Sequence, residues 1–493
     1  MPDLLNPSLY QINTRVRLTE LSRKLNRAAT LDDIPDAELD RMAGQGFDWV
    51  WFLSVWRTGP AGQRVSRANA GWRAEFYETL PDLREEDIAG SGFAITAYAV
   101  ADGLGGDAAL ARLRQRLARR GLRLMLDFVP NHVALDHPWV EDHPDYLIQG
   151  TEDLLARQPQ NYIRLKREKG DLVLAYGRDP YFSGWPDTLQ LDYSNPRLQE
   201  AMVHELLKIS GQCDGVRCDM AMLLLPEVFE RTWGRRPEPF WPRAAKNIRD
   251  QHPDFCFMAE VYWDLEWTLQ QQGFDYTYDK RLYDRLREGH ARPVREHLHA
   301  DLAYQTRLAR FLENHDEPRA SASFGPQVHP AAAVITYFIP GLRFFHQGQF
   351  EGRKKRISPH LVRAPEESAD RGMEKFYDQL LAVLRKPIVR SGEWQHHECR
   401  PAWDGNGSWD SFIAHSWRGS GGERMLVIVN FAPHSSQCYL RLPFPEIKNR
   451  PVRLRDSFSP ACYTREGNEL LGRGLYLDLH PWSYHVFDVE VLQ

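Results

Sequence analysis

Cysteine is scarce in this chain, with six in 493 residues and none in a C-x-x-C pair. That spacing excludes the common zinc and redox motifs. Cys213, Cys218 and Cys256 lie in or beside apolar runs, as buried reduced thiols do. Long hydrophobic runs are missing as well: no stretch approaches the ~18 apolar residues of a membrane-spanning helix. Met1-Pro-Asp-Leu-Leu-Asn-Pro7 has neither the basic nor the apolar region of a signal peptide. A cytoplasmic protein with no membrane partner is the expectation. Neither sign of charge dominates, since 62 basic against 67 acidic side chains leave a formal net charge of −5. Nucleic acid is therefore not an expected partner. Internal repeats and low-complexity segments are absent.

What is present is an alternation. Hydrophobic residues make up 42% of the chain and charged residues 26%, ordinary for a globular protein long enough for two or three domains. Apolar runs begin near Ser8, Phe47, Leu122, Gly215, Phe255, Gly273, Leu308 and Leu342. Helical patterns lie between them. Asp107 to Arg120 places Leu110, Leu113 and Leu117 on one face, with Asp107 as N-cap and Gly121 at the end. Asn195-Pro196 opens another helix, and a third is expected from Trp263 to Gln272, with Trp263 and Trp267 as core residues. Eight strands alternating with helices predict an α/β fold, a (β/α)8 TIM barrel. About sixty residues rich in proline, aromatics and charge interrupt it after the third strand. Beyond Pro387 short strands separated by Gly, Pro and Asn turns predict an antiparallel β domain. The boundaries read as residues 1–132 and 193–388 for the barrel, 133–192 for an inserted domain B, and 389–493 for a C-terminal β-sandwich.

Three carboxylates stand at strand ends. Asp219 follows Gly215-Val-Arg-Cys, Glu260 follows Phe255-Cys-Phe-Met-Ala, and Asp316 follows Leu308-Ala-Arg-Phe-Leu-Glu-Asn-His. Side chains alternate along a strand, so Arg217 and Asp219 point the same way, and the arginine keeps the acid ionised. In a barrel the active site lies at the C-terminal face, where all three acids would meet. A carboxyl pair there suits glycoside cleavage: one attacks, the other protonates the leaving oxygen. A single acid in such a place is as readily a helix cap or a salt bridge. The combination is more specific, because His132, Arg217, His315 and Arg319 sit at the same strand ends.

Asp127-Phe-Val-Pro-Asn-His132, Gly215-Val-Arg-Cys-Asp219, Ala259-Glu260 and Glu313-Asn-His-Asp316 resemble, in order and spacing, the four signature regions of the α-amylase superfamily, the family 13 glycoside hydrolases. Pro186-Asp187 with Leu191-Asp192 resembles the extra signature before the fourth strand. The resemblance implies a retaining α-glycosidase or transglycosidase acting on α-glucosides or α-glucans. Asp219 would be the nucleophile, Glu260 the general acid/base and Asp316 the transition-state stabiliser. His132, Arg217 and His315 would contact the sugar. Phe93, where relatives place a tyrosine that stacks on the sugar in subsite −1, could stack, and Arg319 would line that subsite. Retention implies a covalent glycosyl-Asp219 intermediate and a carboxyl separation of about 5–5.5 Å, with Glu260 held protonated by burial or by Asp219. No cofactor is required. Asn131 occupies a position that holds structural calcium in many relatives, though no domain B carboxylate stands out to complete that site.

The departures bear on specificity. Many starch amylases have Lys-His three and four residues after the nucleophile; here Met222 and Leu223 stand there, implying an apolar acceptor side. Gly90 replaces the Asp that exo-acting α-glucosidases often carry, whereas Asn314-His-Asp-Glu-Pro-Arg319 is close to the α-glucosidase version of its region. Both subtypes stay open. Tyr181, Phe182 and Trp185, in a Gly-rich aromatic stretch, either pack locally or stack on sugar. Arg353-Lys-Lys-Arg356 is either a solvated basic loop or a contact for an anion such as phosphate. The second motivates an alternative, a glucosyl or maltosyl transferase or phosphorylase of the same superfamily. A non-catalytic amylase-like binding protein is the reading from another class; such relatives usually lose some of the acids, and all three are present here.

Overall fold

In a computed structural model that describes residues 6–492, eight parallel strands close into a barrel. They are β1 (Ser8–Asn13), β2 (Trp49–Leu53), β3 (Arg123–Phe128), β4 (Gly215–Cys218), β5 (Cys256–Ala259), β6 (Tyr276–Tyr278), β7 (Leu308–Arg310) and β8 (Leu342–His346). Each neighbours the next in sequence and β8 neighbours β1, the order expected from alternating strands and helices. Every residue of β1, β2, β4, β5, β7 and β8 is buried. Covered faces on both sides explain why these strands read as continuous apolar runs.

The helix Gly106–Ala118 buries Leu110, Leu113 and Leu117 as the spacing predicts. Its cap differs. Gly105, at φ 99°, takes the N-cap position, and the Asp107 carboxylate instead accepts the Val100 N–H at 2.8 Å. Asn195 does cap Pro196–Gln212. The helix expected from Trp263 starts only at Glu266, because Trp263 and Asp264 both take left-handed φ values, 64° and 62°. The helices Thr14–Leu25, Pro60–Ala68 and Ala70–Thr79 carry too few buried apolar residues to announce themselves; the last buries only Phe76.

The described chain falls into two compact units. One comprises Tyr10–Tyr278 with Lys355–Glu366, the other the remaining described residues. In the first, the segment after β3 forms two small antiparallel sheets, His132–Ala134 with Thr188–Gln190 and Tyr162–Leu165 with Leu172–Ala175. The short piece Lys355–Glu366 is anchored there by Leu361, packed with Phe76, Leu80 and Ile88. Arg363 adds ion pairs to Asp87 at 2.7 Å and Asp82 at 3.0 Å.

In the second unit, a six-stranded antiparallel sheet and a three-stranded one share a core that includes Phe412, Leu426, Leu454, Leu440 and Leu477. Trp417 donates its indole N–H to the Phe338 carbonyl at 2.7 Å. Arg343 on β8 is fully buried and spends its guanidinium on the carbonyls of Tyr337, Asn6 and Val389, each at 2.8 Å. All six cysteines are free, with only Cys462 exposed. Among the described residues no helix is long and apolar enough to cross a membrane.

Candidate active site

The first unit builds a site around β4. A Cβ on Gly215 would lie 2.8 Å from the Cys256 carbonyl oxygen, so glycine lets β4 pack close to β5. Arg217 then pairs in register with Asp127 on β3 and Met258 on β5. The ladder continues past both strand ends: Asp219 N–H donates to Phe128 O at 2.8 Å, and Glu260 N–H to Cys218 O at 3.1 Å. Both acids are thus fixed by barrel hydrogen bonds one residue beyond their strands. Both are buried, at 5% and 3% exposure.

Arg217 joins them. Its Nη1 donates to Asp219 Oδ1 and its Nη2 to Glu260 Oε2, each at 2.6 Å, and Nη1 is 3.7 Å from Asp127 Oδ1. The rings of Trp51 and Phe93 lie 5.5 and 5.2 Å from the guanidinium carbon, close enough for cation–π attraction. Glu260 is held twice more. Met220, at a left-handed φ of 44°, aims its N–H at Oε2 at 2.8 Å, and the Tyr262 hydroxyl donates to Oε1 at 2.8 Å. A non-glycine residue in that conformation costs of order 1 kcal/mol or more; here it supplies a donor to a buried carboxylate.

Burial sets the charges. It opposes the charge on Arg217, but Glu260 and Asp219 outweigh it and raise the pKa well above the ordinary arginine value. Burial pushes Asp127 up to about 7 against the pull of Arg217. It pushes His132 down to about 3, with Glu260 opposing, so this imidazole is neutral at neutral pH and able both to donate and to accept a hydrogen bond. The ring stands edge-on to Trp185, 5.2 Å between centroids.

Asn131 is engaged otherwise than calcium would need. Its amide donates to Gln190 Oε1 at 3.2 Å, and its Oδ1 accepts from Gln190 Nε2 at 3.0 Å. Calcium takes six to eight oxygens, several from carboxylates. A mutually satisfied amide pair does not fit that ion.

In the second unit the segment after β7 carries Glu313-Asn-His-Asp316. Asn314 Oδ1 accepts the N–H groups of Asp316 and Glu317, each at 2.9 Å. This turn leaves the Asp316 side chain 40% exposed, with His315 Nε2 3.0 Å from its Oδ2. Arg319 is buried at 2% exposure. It pairs with Glu313 at 3.1 Å and donates twice to Gln347 O at 3.0 Å. A Cβ on Gly348, at φ 89°, would come within 2.5 Å of its Nη2. Glu313, raised to about 7 by burial against Arg319, also accepts the Ala320 N–H at 2.7 Å. Arg319 thus braces the loop that carries Asp316.

Other expectations change. Met222 and Leu223 are 0% and 3% exposed; they are core residues, so they form no apolar acceptor side. Trp263 and Trp267 are 36% and 51% exposed rather than core, because the left-handed residues at 263 and 264 carry them off the expected helix face. Tyr181 and Phe182 are exposed as well, and Tyr181 stands edge-on to Trp263 at 4.9 Å. Three of the four cations at 353–356 are tied down locally: Arg353 donates to Glu367 O, Lys355 to Glu78 O, and Arg356 pairs with Glu75. Met220, Tyr262, Trp51 and Glu313 escape a sequence reading. A left-handed non-glycine and a buried carboxylate leave no spacing signal, although Tyr262 lies only two residues from Glu260.

Residues 69–399 match the family model "Alpha amylase, catalytic domain". Alpha-amylase MalA of Haloarcula japonica is 23% identical over 286 residues, 56% of this chain and 39% of that protein. Alpha-amylase 3 of Dictyoglomus thermophilum is 23% identical over 319 residues, 60% of each. The chain therefore matches less than two thirds of the length of either curated relative. The crystal structure of the noncanonic maltogenic alpha-amylase AmyB from Thermotoga neapolitana superposes with a TM-score of 0.69 at 19% identity, over 99% of this chain and 100% of that one, a likeness of fold. With its closed eight-stranded barrel, its strand-end acids and a family match over most of its length, the chain belongs to the α-amylase catalytic-domain family.

Proposed function

We propose that this chain is a retaining α-glycoside hydrolase, with transglycosylase capacity, acting on α-glucosides or α-glucans. One observation carries the reading: a single buried guanidinium holds Asp219 and Glu260 at its two ends, 2.6 Å from each. Retaining enzymes keep their carboxyls about 5–5.5 Å apart, whereas inverting enzymes leave about 6.5–9.5 Å for a water. Two acids on one fork suit the closer spacing.

Asp219 attacks the anomeric carbon and forms a glycosyl ester, while Glu260 protonates the departing oxygen. Glu260 then takes a proton from the acceptor, water or a sugar hydroxyl, which displaces Asp219. Arg217 keeps Asp219 anionic and aimed. His132, neutral through burial, and His315 hydrogen-bond the sugar. Asp316 supports the positive charge that develops on the ring, and the half-buried Phe93 offers a stacking edge. With Arg353, Lys355 and Arg356 engaged elsewhere, the basic stretch gives little support to a phosphate acceptor, so hydrolysis and sugar transfer are the preferred outcomes.

The test uses maltooligosaccharides, maltose and sucrose with product analysis, beside a 5-fluoroglycosyl fluoride and intact-mass measurement. The reading expects a stable adduct of one glycosyl unit in the wild type, mapped to Asp219, and none in Asp219→Asn. Inverted product stereochemistry, or equal rates for wild type and Asp219→Asn, would sink it.

A further inference from the structure

We infer that His299, His396 and Glu398 form a divalent-metal site, of the kind that takes zinc, outside the four signature regions. His299 lies two residues beyond the helix Ala291–His297. His396 belongs to the strand Glu393–His397, with Glu398 directly after it. Positions 396 and 398 face the same way in extended chain. One potential ligand atom from each residue lies within 4.8 Å of the other two. His299 Nε2 is 2.8 Å from Glu398 Oε1, and His396 Nδ1 is 3.9 Å from that same oxygen. The imidazole centroids are 4.8 Å apart.

Zinc–nitrogen and zinc–oxygen bonds of roughly 2.0–2.2 Å place tetrahedral ligands about 3.3–3.5 Å apart. The observed separations bracket that value. The side chains of His299 and Glu398 are 50% and 53% exposed, so small rotations can close the triangle. His396 is the fixed member, its side chain 10% exposed. Its Nδ1 is the nitrogen that faces Glu398, so this ring can ligate without moving far.

The donor set selects the ion. Two imidazoles with one carboxylate suit zinc and its neighbours, whereas calcium and magnesium prefer oxygen throughout. The fourth position is left to water. The nearest competing charge is Arg295, whose Nε is 3.7 Å from Glu398 Oε2. Its guanidinium is drawn toward the Asp410 carboxylate, which it shares with Arg292, and donates to Asp410 O at 2.8 Å. His397 turns to Ser416, 2.8 Å away, and takes no part. A bound ion would staple the chain after the helix Ala291–His297 to the strand Glu393–His397.

The experiment takes the full-length protein, strips it with dipicolinate, and titrates it with Zn2+ by calorimetry and with Co2+ by visible absorption. The site predicts one equivalent of zinc, intense cobalt bands of a tetrahedral N2O2 environment, and a raised Tm. His299→Ala and Glu398→Gln, both at exposed side chains, should each weaken binding by about tenfold or more. His204→Ala, at a surface histidine elsewhere, should leave it unchanged. Absence of stoichiometric binding, octahedral cobalt spectra, or undiminished affinity in both variants would overturn the assignment.

Discussion

Replacing Arg217 with lysine keeps the positive charge but gives up the fork. One ammonium cannot sit 2.6 Å from both Asp219 and Glu260 in the geometry observed. Misplacing a reacting group by about 1 Å costs roughly 10²-fold, so Arg217→Lys should lower kcat on an aryl α-glucoside by about 10²-fold or more. Near-normal turnover would show that charge alone suffices. Glu260→Gln separates proton donation from attack. It should slow maltooligosaccharide cleavage by about 10²–10⁴-fold, and slow an aryl glucoside with an acidic leaving group much less, because that group departs without a proton. Equal losses on the two substrates would remove Glu260 from the donor role. These residues were legible because strand-end acids beside an arginine have a regular spacing. Met222, Leu223 and Arg319 were not: a motif position says where a residue lies along the chain, and burial decides what it touches.

At the scale of elements, the apolar runs marked all eight barrel strands, since strands covered on both faces are mostly apolar, with buried Gln11, Arg217, Arg310 and Arg343 as interruptions. Helix starts were less legible. The left-handed pair Trp263 and Asp264 breaks a helix that residue preference would have allowed, and only the three-dimensional surroundings select it. The segment Lys355–Glu366 also reads as plain loop, yet Leu361 and Arg363 pin it to residues 76–88. Charged hydrogen bonds of this kind contribute about 1.5–3 kcal/mol each. Arg363→Ala should therefore speed trypsin cleavage within Arg353-Lys-Lys-Arg356 by roughly tenfold or more. Unchanged cleavage would mean that Leu361 alone holds the segment.

For the whole molecule, acid is the expected weakness. Burial pushes His132 down to about 3, His137, His329 and His360 to about 4, and His346 well below its ordinary value. Each is neutral when folded but takes a proton near pH 6.5 when unfolded. Each therefore loses stability as pH falls from about 6.5 toward 4. Asp279 carries the loss on below about pH 4: burial would raise it, but His297 and Arg310 hold it below the usual carboxylate range. Asp127 and Glu313, raised to about 7, and Asp187, raised to about 6, act oppositely, gaining stability as pH falls from 7 toward 4. The depressed groups outnumber them, so Tm should drop between pH 6.5 and 4.5; a rise would show that the buried acids dominate. Barrel closure has a further consequence, one of timing. Asn6 O, just before β1, accepts from Arg343 on β8, 337 residues later. At about 5–20 residues per second, the ribosome needs roughly 20–70 s to deliver that partner. For that interval one edge of β1 stands unpaired, a template for wrong strands. Production of this protein should accordingly be limited by chaperone supply during synthesis more than by the stability of the finished barrel.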